Sequence, residues 1–173
     1  MRGGFGRALA AGAVGAAAVT IANEVGRRTI SDAPRLDLLG TRAVAKLASR
    51  GGAQRFVPGK RQDLWRTALA GDLAANALYY ALAAPGRSPR PIGRGLFLGA
   101  LAGVGAVVLA PKLGLGHRPS DATVETAVLT VAWYAVGGVA AGIAARLLAP
   151  RVPESAPAGV VTAQYPWPPA HRA

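Results

Sequence analysis

The sequence predicts an all-α protein, an integral membrane bundle of four transmembrane helices with an amphipathic interfacial helix in the first loop. Four apolar runs alternate with basic loops, which is the pattern of a chain that crosses a bilayer repeatedly. Charged residues make up 16% of the chain, below the average of about 25% for soluble domains. The chain is 51% hydrophobic but only 6% aromatic, and alanine and glycine are abundant. This composition suits close helix packing in lipid better than a soluble core.

The first span is predicted over residues 6–28, with its apolar run at 8–22 behind a short basic start. A cleaved signal peptide is the alternative interpretation, because small residues precede Asn23. The run lacks a leucine core, and the helical pattern continues past Asn23. We therefore favour a transmembrane helix.

An amphipathic helix is predicted over residues 34–49, where Pro34 suits a first turn. Leucine, valine and alanine recur along one side at helical spacing, and basic residues line a flank. At this length and charge the helix cannot span a bilayer. Two interpretations remain open: it lies in the headgroup plane, or it packs on the end of the bundle with a solvated basic face.

The second predicted span, residues 63–84, contains an aspartate, Asp72, near its middle. A carboxyl group at that depth costs about 2.5–3.5 kcal/mol, so it should face the bundle interior. Trp65, Asn76 and Tyr79 fall within about 40° of Asp72 on a helical projection. Tyr79 and Tyr80, near the end of the span, also suit an interfacial aromatic belt.

Two hypotheses account for Asp72. It is a proton or cation site, or it makes a structural hydrogen bond to a neighbouring helix. Thr126, Thr130 and Trp133 share one face of the fourth span, and the two hydroxyls are candidate donors to the carboxylate. The sequence favours the structural hydrogen bond.

The third and fourth spans, residues 94–110 and 123–148, are predicted to pack through glycines. Pro111 is expected to end the third, and Ser120 or Asp121 to cap the fourth. Glycines four residues apart share one helix stripe, which lets a neighbouring backbone approach closely. These packing residues are Gly95, Gly99, Gly103, Gly138 and Gly142.

The net charge of +12 indicates contact with anionic lipid headgroups. Nucleic acid is not an expected partner, because basic and aromatic residues do not interleave. Twelve Lys and Arg lie on the side of the first and third loops, and eight lie on the opposite side of the predicted bundle. This excess places the first loop in the cytoplasm and both termini outside. The residues predicted to contact headgroups are Arg27, Arg28, Arg35, Arg42 and Lys46.

No catalytic, cofactor or metal site is predicted. The chain has no cysteine, and its two histidines, His117 and His171, are isolated in a loop and a tail. Residues 1–149 form the predicted membrane domain, and the proline-rich tail at 150–173 is predicted to be disordered. The expected role is non-enzymatic packing or association, with a homo-oligomer as one form of it. The alternative is a small transporter or channel that uses Asp72.

Four parts of the chain carry a resemblance: Asn23-Glu24 through Arg27-Arg28, the segment Asp32-Ala33-Pro34-Arg35 with Gly40, and the runs at 71–80 and 130–138. They are similar to stretches of small uncharacterised bacterial multi-spanning membrane proteins. The resemblance implies a multi-pass protein of the bacterial cytoplasmic (inner) membrane. It implies no substrate or activity for any residue.

Overall fold

The computed structural model describes residues 2–52, 59–84, 90–116 and 119–150. These residues form five helices and no strand, so the all-α prediction is confirmed. The tail that is predicted to be disordered lies outside the described residues from residue 151 onward. The helices are α1 (Arg2–Thr29), α2 (Leu36–Arg50), α3 (Arg61–Ala81), α4 (Pro91–Lys112) and α5 (Val124–Leu147).

The four long helices pack side by side with alternating direction. α5 lies between α1 and α4 and is antiparallel to both, and α3 packs antiparallel against α1. α3 also reaches the other two helices through two tyrosine hydroxyls. Tyr79 donates to the Leu98 carbonyl of α4 at 2.8 Å, and Tyr80 donates to the Tyr134 carbonyl of α5 at 2.7 Å.

α2 lies across one end of the bundle, which we call the α2 end. Its first backbone N–H, at Leu36, donates to Asn23 Oδ1 of α1 at 3.3 Å. Further along, Gly40 faces α3, and Arg42 Nη1 donates to the Leu115 carbonyl after α4 at 2.6 Å. Gly114 and Gly116 on either side of Leu115 have φ of +70° and +84°, a left-handed conformation that favours glycine. The α2 end therefore holds the C-termini of α1 and α4 and the N-termini of α3 and α5.

Among the described residues, three helices are long and apolar enough to cross a membrane: Gly4–Thr29, Pro91–Lys112 and Val124–Leu147. The sequence predicts four such helices. α3, the predicted second span, has 21 residues but is not among the three. Charged residues in its first two turns, together with Asp72, lower its mean hydropathy.

The first turns of α2 and α5 differ from the predicted ones. α2 begins at Leu36 rather than at Pro34, which is buried just before the helix. The cap of α5 is Thr123, whose hydroxyl accepts from the Thr126 N–H at 3.1 Å. Ser120 is buried and donates to the Ala106 carbonyl at 3.0 Å instead, because α5 starts at Val124, after the position that a Ser120 or Asp121 cap requires.

α1 packs through glycines that the sequence patterns do not single out. A Cβ at Gly15 would lie 2.7 Å from the Gly137 carbonyl oxygen and 2.8 Å from Ala141 Cβ. One at Gly12 would overlap the Ala77 carbonyl of α3, and one at Gly26 the Trp133 ring. α1 therefore contacts α3 and α5 at backbone distance.

Candidate functional site

The Asp72 side chain lines a cavity of about 190 Å³ between α1, α2 and α3. Ala68 and Asp72 are one turn apart on the side of α3 that faces α2. Two turns earlier, Trp65 forms part of the cavity wall and is 42% exposed. Leu69 is the fourth lining residue from α3. The other lining residues come from the other two helices: Val19, Thr20, Asn23, Glu24 and Arg27 of α1, and Leu36, Asp37 and Gly40 of α2.

The side chains of the predicted Trp65–Asp72–Asn76–Tyr79 face do not all point the same way. Trp65 and Asp72 line the cavity. The Asn76 amide lies within hydrogen-bonding reach of the Asp72 carboxyl, as expected one turn apart. Tyr79 instead points to α4. Tyr80 is fully buried against α5, so its assignment to an interfacial belt is wrong.

Thr126 and Thr130 do not serve Asp72. The Thr126 hydroxyl donates to the Asp32 carbonyl at 2.9 Å, and the Thr130 hydroxyl is 2.9 Å from the Ser120 carbonyl. The predicted pairing is wrong because α3 packs mainly on α1 and makes few contacts with α5, and both threonine hydroxyls already have carbonyl partners. Trp133, also predicted to be near Asp72, packs against Gly26.

The two threonines belong to a buried polar network that closes the α2 end. Thr126 and Thr130 are 2% and 0% exposed. They hold the connection that follows α1 and the one that precedes α5, and the Arg35 N–H joins these connections by donating to the Pro119 carbonyl at 2.8 Å. Buried polar groups are stable only when they are hydrogen-bonded, and here the bonds fix the loops around the cavity.

The five glycines of α4 and α5 that were predicted to pack helices lie where these two helices meet. A Cβ at Gly103 would lie 2.6 Å from Val131 Cα, and one at Gly142 would lie 2.6 Å from the Pro91 carbonyl. Cβ atoms at Gly95 and Gly138 would each overlap the other residue's carbonyl oxygen, and one at Gly99 would overlap that of Tyr134. The two backbones are in direct contact along this stripe.

Four of the five cations predicted to contact headgroups have acceptors within the protein. Arg27 and Arg28 both pair with Glu24. Arg35 Nε lies 3.1 Å from Asp37 Oδ1, and this hydrogen-bonded pair raises the pKa of the Arg35 guanidinium. Arg42 holds the Leu115 carbonyl. Lys46 lies beside Gly114 at the α2 end.

Asp72 differs from the other two carboxylates of the cavity. Glu24 and Asp37 each pair with arginine. In the part of the chain that the structure describes, the ion pairs do not include Asp72. Its carboxyl therefore faces the cavity with an amide, and no cation, as its neighbour.

No family model, curated protein or solved structure matches this chain. The function must therefore be argued from the cavity itself.

The cavity combines mostly apolar walls with one carboxyl that has no ion-pair partner among the described residues. Within the described ranges, no group of three histidine or acidic side chains is arranged to bind a metal ion. The walls are mostly carbon, and Asp72 and Val19 lie furthest from the α2 end. Glu24, Arg27 and Trp65 form the partly exposed rim.

Proposed function

We propose that the protein is a multi-pass protein of the bacterial cytoplasmic membrane in which α3 crosses the bilayer with α1, α4 and α5. Chain direction supports this. α2 lies at one end of the bundle, and α4 starts at the opposite end, where Ile92 meets Gly142. If the three apolar helices cross the membrane, α3 has to return the chain between them.

The exposed side of α3 supports the same proposal. From residue 67 to residue 82 it presents a stripe of small and apolar side chains, which lipid accepts: Thr67, Ala70, Gly71, Ala74, Ala75, Leu78 and Leu82. The charges that lower its hydropathy lie elsewhere. Asp63 and Arg66 occupy the first two turns at the α2 end, and Asp72 faces the cavity.

We place the α2 end in the cytoplasm, in keeping with the excess of Lys and Arg there. The second half of α2 suits anionic headgroups, since Leu47 is 70% exposed beside Lys46 and close to Arg50. An exposed leucine flanked by cations is typical of a helix at the membrane surface.

Cysteine labelling tests the crossing of α3, because the chain has no cysteine of its own. Gly59→Cys and Gly93→Cys flank α3, and a Cβ at either position meets no atom within 4 Å. In intact spheroplasts a membrane-impermeant maleimide should label Gly93→Cys and spare Gly59→Cys, and permeabilised cells should label both. Equal labelling of the two variants in intact spheroplasts would mean that α3 does not cross.

We further propose that the protein acts as a small proton- or cation-coupled transporter with Asp72 as the coupled group. One observation carries this proposal: the Asp72 carboxyl lines an open cavity and has no arginine partner in the described residues. A purely structural aspartate would be expected in a hydrogen bond between helices. The alternative role is packing or association without transport, and only the glycine contacts support it.

The shape of the cavity fits a site reached from one side. Beyond Asp72, α1 and α3 are in backbone contact at Gly12 and Ala77. Tyr80, which is 0% exposed, closes the centre of the bundle. Such a closure on one side of an ion site is expected of a transporter at rest.

Flux measurements in proteoliposomes test the proposed transport. Under an imposed proton or sodium gradient, the wild-type chain should move protons or Na⁺. Asp72→Asn should lower the rate about tenfold or more, since a contact to a charged group is worth about 1.5–3 kcal/mol. Asp63→Asn is the matched control, because Asp63 lies on the same helix outside the cavity. Flux that Asp72→Asn leaves unchanged would mean that Asp72 is not the coupled group. No flux in the wild type would favour association instead.

A further inference from the structure

We propose that the cavity between α1, α2 and α3 binds a small organic ammonium ion, with Asp72 as its counter-ion. This inference rests on the proposed role of Asp72 as a cation site and names the class of cation. Three features of the cavity lead to it: its volume, its carbon walls and the distribution of its charges.

The volume and the walls favour an organic guest. A protein cavity of about 150 Å³ accommodates a molecule the size of benzene, and this cavity measures about 190 Å³. Val19, Leu36 and Leu69 line it. A hydrated metal ion would leave these carbon surfaces facing water, whereas an apolar body would cover them.

The charges favour a single positive group at the far end. Arginines already neutralise Glu24 and Asp37 near the α2 end. Asp72 retains its full capacity to accept hydrogen bonds from an ammonium, apart from the bond that Asn76 supplies. An anionic guest would be repelled at this point, and a neutral guest would leave the carboxylate without a counter-ion.

Trp65 provides a surface for the body of the guest. It lies two helical turns from Asp72, which is about 10 Å along the helix axis, on the same cavity wall. An ammonium held at Asp72 therefore has its attached ring or chain directed toward the indole. Aromatic surfaces favour cations and the C–H groups next to them.

Two sources supply this chemistry: a free amine in the cytoplasm and the ammonium headgroup of a membrane lipid. Both would place a protonated amine at Asp72. The lipid composition of the membrane in which binding is measured separates them.

Calorimetric titration with benzylamine, which is protonated at pH 7, tests the inference. The full chain is placed in nanodiscs of phosphatidylglycerol, which carry no amine headgroup. We expect saturable binding that Asp72→Asn weakens at least tenfold, that Asp72→Glu retains and that Asp63→Asn leaves unchanged. Weaker binding in nanodiscs containing phosphatidylethanolamine would identify the lipid headgroup as a competing source of the ammonium, and unchanged binding would identify the free amine.

Benzyl alcohol, a neutral analogue of similar shape, is the matched ligand control. If benzyl alcohol binds as tightly as benzylamine, or if Asp72→Asn binds benzylamine normally, the inference is wrong. Asp72-dependent proton or Na⁺ flux without benzylamine binding would overturn this inference and leave the proposed transport intact. Asp72-dependent benzylamine binding without any flux would overturn the proposed transport and leave this inference intact.

Discussion

Gly99→Ala is expected to destabilise the helix bundle, whereas Gly105→Ala on the same helix is expected to stabilise it slightly. A Cβ at Gly99 would overlap the Tyr134 carbonyl and lie 2.8 Å from Ala135 Cα. These are backbone atoms, so α4 and α5 must move apart. Overpacking of this kind costs about 1–3 kcal/mol or more. At Gly105 the nearest atom is Leu109 Cδ1, at 3.9 Å, and replacing a helical glycine gains about 0.5–1 kcal/mol.

The free energy of unfolding of both variants can be measured in mixed micelles by titration with sodium dodecyl sulfate, with helicity followed by circular dichroism. The pair is matched in helix, residue type and substitution and differs only in what the new methyl group meets. If Gly99→Ala is as stable as Gly105→Ala, α4 and α5 are not in backbone contact at Gly99.

The positions of the helices could be predicted from the sequence to within a few residues. The predicted spans at 94–110 and 123–148 correspond to α4 and α5, because long apolar runs and prolines define helices locally. The start of α5 could not be predicted from the sequence, since Ser120 and Thr123 are both acceptable caps by residue type. The role of Ser120 depends on the Ala106 carbonyl of α4, which lies elsewhere in the sequence.

The face of α3 that carries Asp72 and Asn76 was also predictable, because helical periodicity fixes which side chains lie together. The partner of Asp72 was not. Periodicity does not specify which helix covers a face, and α3 packs mainly on α1 rather than on α5. The threonines of α5 were plausible donors by residue type, but they hold the loop carbonyls of Asp32 and Ser120.

The packing glycines of α1 could not be predicted from the sequence, for a different reason. In α4, strict four-residue spacing drew attention to Gly95, Gly99 and Gly103. In α1, Gly12 and Gly15 face two different helices, so they form no single stripe. The buried positions Gly12, Ala16 and Val19 are spaced four and three residues apart, but in a run rich in alanine and glycine this spacing does not distinguish them from their neighbours.

We claim above all that Asp72 lies in a cavity reached from the α2 end, and thiol modification tests this most directly. Thr130→Cys is the control, because Thr130 of α5 is 0% exposed in the buried polar network at the α2 end. The reagent is 2-aminoethyl methanethiosulfonate, a small ammonium compound, applied to inside-out vesicles. Buried thiols react only after local opening, and each tenfold slowing corresponds to about 1.4 kcal/mol.

We predict that Asp72→Cys reacts on the order of a hundredfold faster than Thr130→Cys, which corresponds to about 2.7 kcal/mol of opening free energy. Benzylamine is not needed for this measurement, so the result does not depend on the identity of the guest. Equally slow reaction of the two cysteines would mean that Asp72 is enclosed by protein, and would contradict the claim.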